Sequence, residues 1–307
     1  MKGYIARFLV KRIALGIATL FIVSLLIFLI TQALPSDPAE AMLGREATPE
    51  SLAALRAQFG LDQPIYQGES FATMMPVKDL VGPRIGASFF LLLLSAAGSI
   101  PISIVIGSYA ALKRDKKFDT TSSMATLILA ALPEFVVGTV LTVLFATTVV
   151  QWLPAVTYLA PGEPPWSDMA GLTLPVLTLV ISVTPYVARV MRAAMVEVLE
   201  SDYIEMARLK GMDERTVLWR HAIPNGIGPS LQVIALNLAY LAGGVIIVER
   251  LFNYPGLGTA LADAVRSRDM PVVQFLTLLI ATVYVVTNLL ADIGTVLVTP
   301  RLRTRLK

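Results

Sequence analysis

The sequence predicts an all-α membrane protein with six transmembrane helices and both termini in the cytoplasm. Three observations lead there. Of 307 residues, 55% are hydrophobic and only 15% charged, where a soluble domain carries about a quarter charged residues. The mean hydropathy of +0.70 is too high for a fold that must cover its surface with polar groups. The charges are also unevenly spread: six long runs are almost or wholly free of them.

The runs are Ile13 to Ser36, Ile85 to Leu112, Thr120 to Gly162 (interrupted only by Glu134), Met169 to Ala188, Ala222 to Val248 and Met270 to Ala291. About 20 apolar residues in a helix cross the hydrocarbon core. With no water there to satisfy the backbone, each run closes its hydrogen bonds on itself as a helix. A strand barrel would need alternation of polar and apolar residues, and Phe89 to Leu94 does not alternate. The expected spans lie near 9–34, 86–112, 121–150, 171–194, 228–248 and 273–297. The first is not a signal peptide, whose apolar core is only about 7–15 residues long.

Lysine and arginine set the orientation. The side holding both termini carries Lys2, Arg7, Lys11 and Arg12, then Lys113, Arg114, Lys116 and Lys117. It also carries Arg189, Arg192, Arg208, Lys210, Arg215 and Arg220, and the run from Arg301 to Lys307. That is 18 of the 25 basic residues, so this side is the cytoplasm. The net charge of +3 is therefore a topology signal, and no nucleic-acid partner is expected.

Two connections stand out. The external loop near 35–85 contains Pro49 followed by good helix formers, which reads as a short surface helix. The cytoplasmic loop at about 195–227 is charged and helical in pattern, with one break at Gly211. Asp202 to Glu205 has the spacing of a helix start related to the capping box. Gly211 suits a left-handed turn ending that helix, and Asp213 suits the cap of a second. Pro224 is expected to end that second helix ahead of the fifth span. The loop near 151–168, with Pro154, Pro161, Pro164 and Pro165, reads as an irregular external cap.

The stretch Glu205-Met206-Ala207, then Gly211, His221, Ile223 and Pro224, resembles the EAA loop of ABC importer permeases. That pattern is Glu-Ala-Ala, three residues, Gly, nine residues, Ile, one residue, Leu-Pro. Met206 replaces the middle Ala, and His221 and Ile223 stand at the Ile and Leu positions. Leu34 to Pro38, Phe59 to Pro64, Phe252 to Gly258, Arg268 to Pro271, Asn288 to Asp292 and Thr299 to Arg303 resemble the dipeptide/oligopeptide/nickel branch, with Thr299 where that branch usually has Asp. The resemblance implies a type I importer permease in a bacterial inner membrane. Residues 1–85 would form the first helix and external loop region and 86–307 a five-helix core, together one transmembrane domain.

It also implies partners: a second homologous permease, two ABC ATPases that bind ATP and Mg, an external substrate-binding protein, and membrane lipids. Asp202, Glu205, Ala207, Arg208, Lys210, Gly211 and Pro224 would form the ATPase-coupling loop. Polar residues within the spans, Glu134, Gln232, Asn237, Tyr240 and Asn288, are candidates for the translocation path. Glu134 and Asp292 are equally read as structural, paired with Arg189 or Arg192 or near a wet helix end. Ala239, Ala242, Gly243 and Gly244 suit close helix packing.

No catalytic residue and no cofactor is expected in this chain. It lacks G-x-x-x-x-G-K-[ST] for nucleotide phosphates. With no cysteine and a single histidine, His221, the usual zinc sites are out of reach. An ion-gradient transporter would show inverted repeats and broken helices at matching positions, and a membrane-embedded enzyme would show convergent titratable groups. Neither pattern is present in the sequence.

Reporter fusions at Lys116, Glu214 and Lys307 are expected to read as cytoplasmic, and fusions at Glu50, Glu163 and Asp263 as external. An external signal at Glu214 contradicts both the topology and the coupling loop.

Overall fold

In a computed structural model, residues 2–33, 48–58, 69–70, 72–160 and 162–298 are described. At 2–6, 8, 9, 28, 30–33, 55–58, 229, 232, 235, 238–244, 291 and 294–298, only the backbone is. The segments Leu34 to Pro38, Phe59 to Pro64 and Thr299 to Arg303 lie outside the described residues. Among the described residues, ten α-helices of eight residues or more follow in order: α1 (Lys2–Ala33), α2 (Pro49–Gln58), α3 (Val77–Leu112), α4 (Lys117–Ala131), α5 (Glu134–Thr142), α6 (Met169–Leu199), α7 (Asp202–Leu209), α8 (Ile223–Leu251), α9 (Leu257–Arg266) and α10 (Met270–Val298). Among the described residues there is no strand beyond one isolated bridge, Glu69 to Pro76.

Helices α1, α3, α6 and α10 are each long and apolar enough to cross a membrane. The pair α4 and α5 is long and apolar enough only when taken together, as a broken span or a re-entrant loop, and α8, with 29 residues, stands at the place of the remaining expected span. Most of these helices run past the apolar stretches the sequence marks. The early start of α3 has a clear cause: Val77 and Val81 are buried against Leu257, Ala260, Val272 and Leu276 of α9 and α10.

The third span differs from expectation. It is not one helix over 121–150 but two, bent by 104°. Pro133 has no N–H to donate and disfavours helical geometry in the residue before it. Leu132 accordingly takes φ −89° and ψ 130°. Glu134 falls in the first turn of α5, half-buried, where the exposed backbone N–H groups favour a carboxylate. A π-helical turn, Val143–Thr147, ends this arm.

The short helix expected at Pro49 is present as α2. Thr48 and Ser51 cap it reciprocally: Ser51 N donates to Thr48 Oγ1 at 3.2 Å and Thr48 N to Ser51 Oγ at 2.9 Å. Between Gln151 and Pro164 the chain is irregular, as its prolines imply. Asp168 anchors it by accepting from Tyr158 N and from Gly171 N, both at 2.9 Å, the latter capping α6.

Helix α6 is central: 67% of its most apolar window is buried, against none for α1. Its closest neighbour is α3, which presents Ser95, Ala96, Ser99, Ser103, Gly107 and Ser108, all buried. Small residues let two backbones approach where lipid offers no hydrophobic drive for association. A Cβ on Gly107 would lie 2.5 Å from Ala188 O and 2.7 Å from Met191 Cβ. Ser103 Oγ donates to Ser99 O at 2.6 Å in its own helix and reaches Thr184 O in α6 at 3.3 Å.

Helix α1 packs on α10 at the periphery. Asp292 of α10 pairs there with Arg12 at 3.2 Å, not with Arg189 or Arg192 as the sequence suggested. Arg192 is engaged by Asp119 instead.

The end of the bundle away from the 113–119 loop is closed around Glu249. This side chain has no exposure. Its carboxylate accepts from Ser88 Oγ and, at 2.6 Å, from Gly258 N at the start of α9. It thereby occupies the helix N-terminus where donors are unpaired. Tyr254 Oη donates to Ala87 O at 2.8 Å, and Thr157 N to Phe252 O at 2.9 Å. Asp269, buried ahead of α10, accepts from Ser70 Oγ and from Ala72 N at 3.3 Å. These contacts give physical content to the Phe252–Gly258 and Arg268–Pro271 segments.

The two glycines of that turn differ in what surrounds them. A Cβ on Gly256 would run into the Glu249 carboxylate, and one on Gly258 into the backbone of Ile246. Overpacking costs about 1–3 kcal/mol, and backbone yields less readily than a side chain. Gly258→Ala is therefore expected to lower the thermal midpoint of the purified protein more than Gly256→Ala. Equal melting of both variants and wild type contradicts this account.

Candidate coupling site

The feature that stands apart from the bundle is the 200–222 segment. Helix α6 ends at Leu199, and after two intervening residues α7 begins at Asp202. The N-cap of α7 is Ser201, in extended geometry (φ −79°, ψ 147°). Its hydroxyl donates back to Val198 O, so no side chain caps α7. The capping box expected from Asp202 and Glu205 is therefore not formed. Both lie one position too far along the chain, and they instead supply negative charge to the first turn.

The C-terminus of α7 matches the expectation from Gly211. Met212 N donates to Ala207 O at 3.3 Å and Gly211 N to Arg208 O at 2.9 Å. That pair of bonds is the Schellman arrangement. It places Gly211 at φ +79°, a conformation that costs a residue with a Cβ roughly 1–2 kcal/mol. No atom lies within 4 Å of where that Cβ would be, so the requirement for glycine here is one of backbone, not of space.

Across the turn, Arg208 Nε donates to Glu214 Oε1 at 2.7 Å. Asp213 caps the next turn, accepting from Thr216 N at 3.0 Å. Hydrogen bonds from Thr216, its side chain foremost, hold the Asp213 carboxyl below the usual carboxylate range.

Pro224 does not end the second helix. Glu214–Thr216 runs through a π-helical segment, Val217–Ala222, directly into α8. A proline inside a helix lacks one donor and crowds the carbonyl four residues earlier. That residue is Arg220, inside the π segment, where the wider turn takes up the misfit.

Helix α7 has two faces. Ile204 and Ala207 point inward and pack with Ala111, Met191, Met195, Val217 and Ala222. Ala207 is only 7% exposed, so the close approach its small side chain allows is to its own chain. Tyr203, Met206 and Leu209 point outward, Leu209 with 74% of its surface exposed. Asp202, Glu205, Arg208 and Lys210 surround them, all exposed. The result is a short helix, fixed below by packing and at its end by a turn, that presents an apolar ridge edged by charge. The sequence signal for the ridge was the spacing of three large apolar residues at 203, 206 and 209 in a loop otherwise charged.

The five path candidates do not form a comparable group. Asn237 Nδ2 donates to Val233 O at 2.8 Å and Asn288 Nδ2 to Tyr284 O at 3.0 Å, each within its own helix. Asn288 lines a cleft of about 290 Å³ between α1 and α10 with Arg12, Tyr284 and Asp292. Glu134 is at the break between α4 and α5. The side chains of Gln232 and Tyr240 lie outside the described residues.

The fold defines a polytopic helical membrane protein with a short, half-exposed helix between two of its long ones. Comparison with known proteins identifies its family. Residues 103–304 match the family described as binding-protein-dependent transport system inner membrane component, and residues 5–75 the N-terminal family of the same membrane components. A peptide transport system permease protein of Brucella abortus (strain 2308) is 35% identical over 309 residues, covering 96% of this chain and 98% of the relative. The glutathione transport system permease protein of Escherichia coli (strain K12) is 34% identical over 310 residues, with the same coverage. In fold, the chain resembles one from a crystal structure of an amino acid ABC transporter with histidines. The TM-score is 0.53 at 17% identity, covering 73% of this chain and 97% of that one. The chain therefore belongs to the inner-membrane permeases of binding-protein-dependent ABC importers.

Gly211→Val is expected to leave membrane insertion intact and to reduce substrate uptake, because a β-branched residue is the least suited to a left-handed turn. Gly211→Asn is expected to retain more uptake, since asparagine tolerates that geometry. Uptake by cells matched for expression measures both, and equal activity of the two variants contradicts the backbone argument.

Proposed function

We propose that this permease lines a translocation path together with a second, homologous permease, and that α7 is the element through which two cytoplasmic ATPases move it. The observation that carries this reading is the outward ridge Tyr203, Met206 and Leu209 on a helix otherwise locked to the bundle. An apolar ridge ringed by Asp202, Glu205, Arg208 and Lys210 suits a groove on a protein partner, with an apolar centre and a polar rim. A helix packed below and stopped sharply transmits displacement instead of absorbing it.

Under this reading ATP and Mg bind the partner subunits, and this chain contributes no catalytic group. An external binding protein delivers the cargo to the face opposite α7, across a bacterial inner membrane. The cargo is a small peptide or a peptide-like solute. Support comes from the relatives that align with nearly the whole chain, a peptide permease and a glutathione permease.

The chain has no cysteine, so single substitutions give a clean background for crosslinking. In the assembled transporter, Leu209→Cys and Met206→Cys are expected to crosslink to the ATPase. Ala207→Cys, on the buried face, is expected to crosslink weakly or not at all, and Lys113→Cys serves as a comparison on the neighbouring loop. Failure of both 206 and 209 to reach the ATPase in a transporting complex contradicts the proposed role of α7. The cargo is tested separately, by identifying the ligand carried by the binding protein that co-purifies with the complex.

A further inference from the structure

We infer that Asp119 and Arg192 are positioning residues that tie α7 to the broken third span, so that displacement of α7 is delivered through α4 to the bend at Pro133. This rests on the coupling role proposed for α7 and adds a route beyond it.

The geometry is specific. Asp119, in the first turn of α4, is only 4% exposed. Its two oxygens are both taken by Arg192 of α6: Nε donates to Oδ1 at 2.5 Å and Nη2 to Oδ2 at 2.6 Å. Such a two-pronged charge-assisted pair fixes direction as well as distance. Oδ2 also accepts from Asp115 N at 3.0 Å, and Oδ1 from Ser123 Oγ at 3.4 Å. The same carboxylate therefore folds the 115–119 turn and holds α6.

A second ion pair lies one residue from α7's cap. Glu200, between α6 and Ser201, binds Arg114 of that same turn. This pair is exposed on both sides and contributes little energy by itself. Its value is in registering the turn against the root of α7. Beneath both pairs, Ala111 at the end of α3 packs with Met191, Met195, Ile204 and Ala207. The turn itself is ordered: Lys116 N donates to Lys113 O at 2.9 Å, and Tyr109 and Phe118 meet edge to face at 4.7 Å.

Residues 111–119 and 191–209 thus form one block built from two segments. Helix α4 leaves this block as a lever of 15 residues, about 22 Å long at 1.5 Å per residue. It ends where Leu132 and Pro133 break the span. A push on α7 transmitted through α6 alone would move a helix packed on most of its surface. Passed on at the end of α6 from Arg192 to Asp119, it rotates α4 about a joint that already lacks continuous backbone hydrogen bonding.

The test uses the assembled transporter in proteoliposomes, with ATP hydrolysed per substrate transported as the readout. Loss of stability alone does not alter this ratio in the complexes that remain assembled. The double variant Asp119→Asn/Arg192→Gln removes both charges together and leaves none buried without a partner. It is expected to raise the ratio several-fold while Leu209→Cys still crosslinks to the ATPase. Arg192→Lys keeps the charge but not the fork and is expected to raise the ratio by a smaller factor, which provides the reading should the double variant not assemble. An unchanged ratio in assembled complexes, with the crosslink retained, overturns the positioning role and leaves the role of α7 standing. Failure of both Leu209→Cys and Met206→Cys to crosslink with native Asp119 and Arg192 overturns both.

Discussion

The arrangement depends on how closely α3 and α6 approach. In a bilayer the apolar side chains of a helix gain nothing by leaving lipid for protein, so association needs contacts that lipid cannot make. Gly107, set against Ala188 O and Met191 Cβ, permits such contacts, and Ser103 adds a hydroxyl reaching the Thr184 carbonyl. With α6 held at the centre, α8 and the two arms of the third span find their places on its flanks. The 200–222 segment then hangs from the end of α6, with Met191 and Met195 as its floor.

The two ends of the bundle use different chemistry. Around Glu249 the bonds are made by one buried carboxylate that gathers a serine hydroxyl and the amide of a helix start. Around α7 the bonds are local and backbone-made, a Schellman turn and a short cap, with ion pairs outside them. The first kind of closure fixes one position firmly. The second makes a small unit stiff within itself while leaving its outer surface available to a partner.

Much of this could be read from the residues because it depends on spacing within one segment. Charge-free runs give the helices, Pro49 the surface helix and Gly211 the left-handed turn. What could not be read is what lies between segments. Ala207 looks the same in sequence whether it faces a partner or its own bundle, and only the packing of Met195 and Val217 decides. The sequence offers Arg192 to Glu134 or Asp292, since nothing local pairs it with Asp119, 73 positions away. Glu249 stands just past an uncharged run, where nothing local marks it, yet it is fully buried by a turn that follows it. Pro133 and Pro224 show the limits of a local rule. One breaks its helix and the other does not, because a π-helical turn precedes the second.

The peripheral position of α1 bears on how the chain is built. It is the earliest of the described helices, and it packs on α10, the last of them, with Arg12 and Asp292 drawn from nearly opposite ends of the sequence. During synthesis α1 enters the bilayer long before the surface it will rest on exists. The Arg12–Asp292 pair can form only once α10 is made, so this contact is among the last the described helices complete.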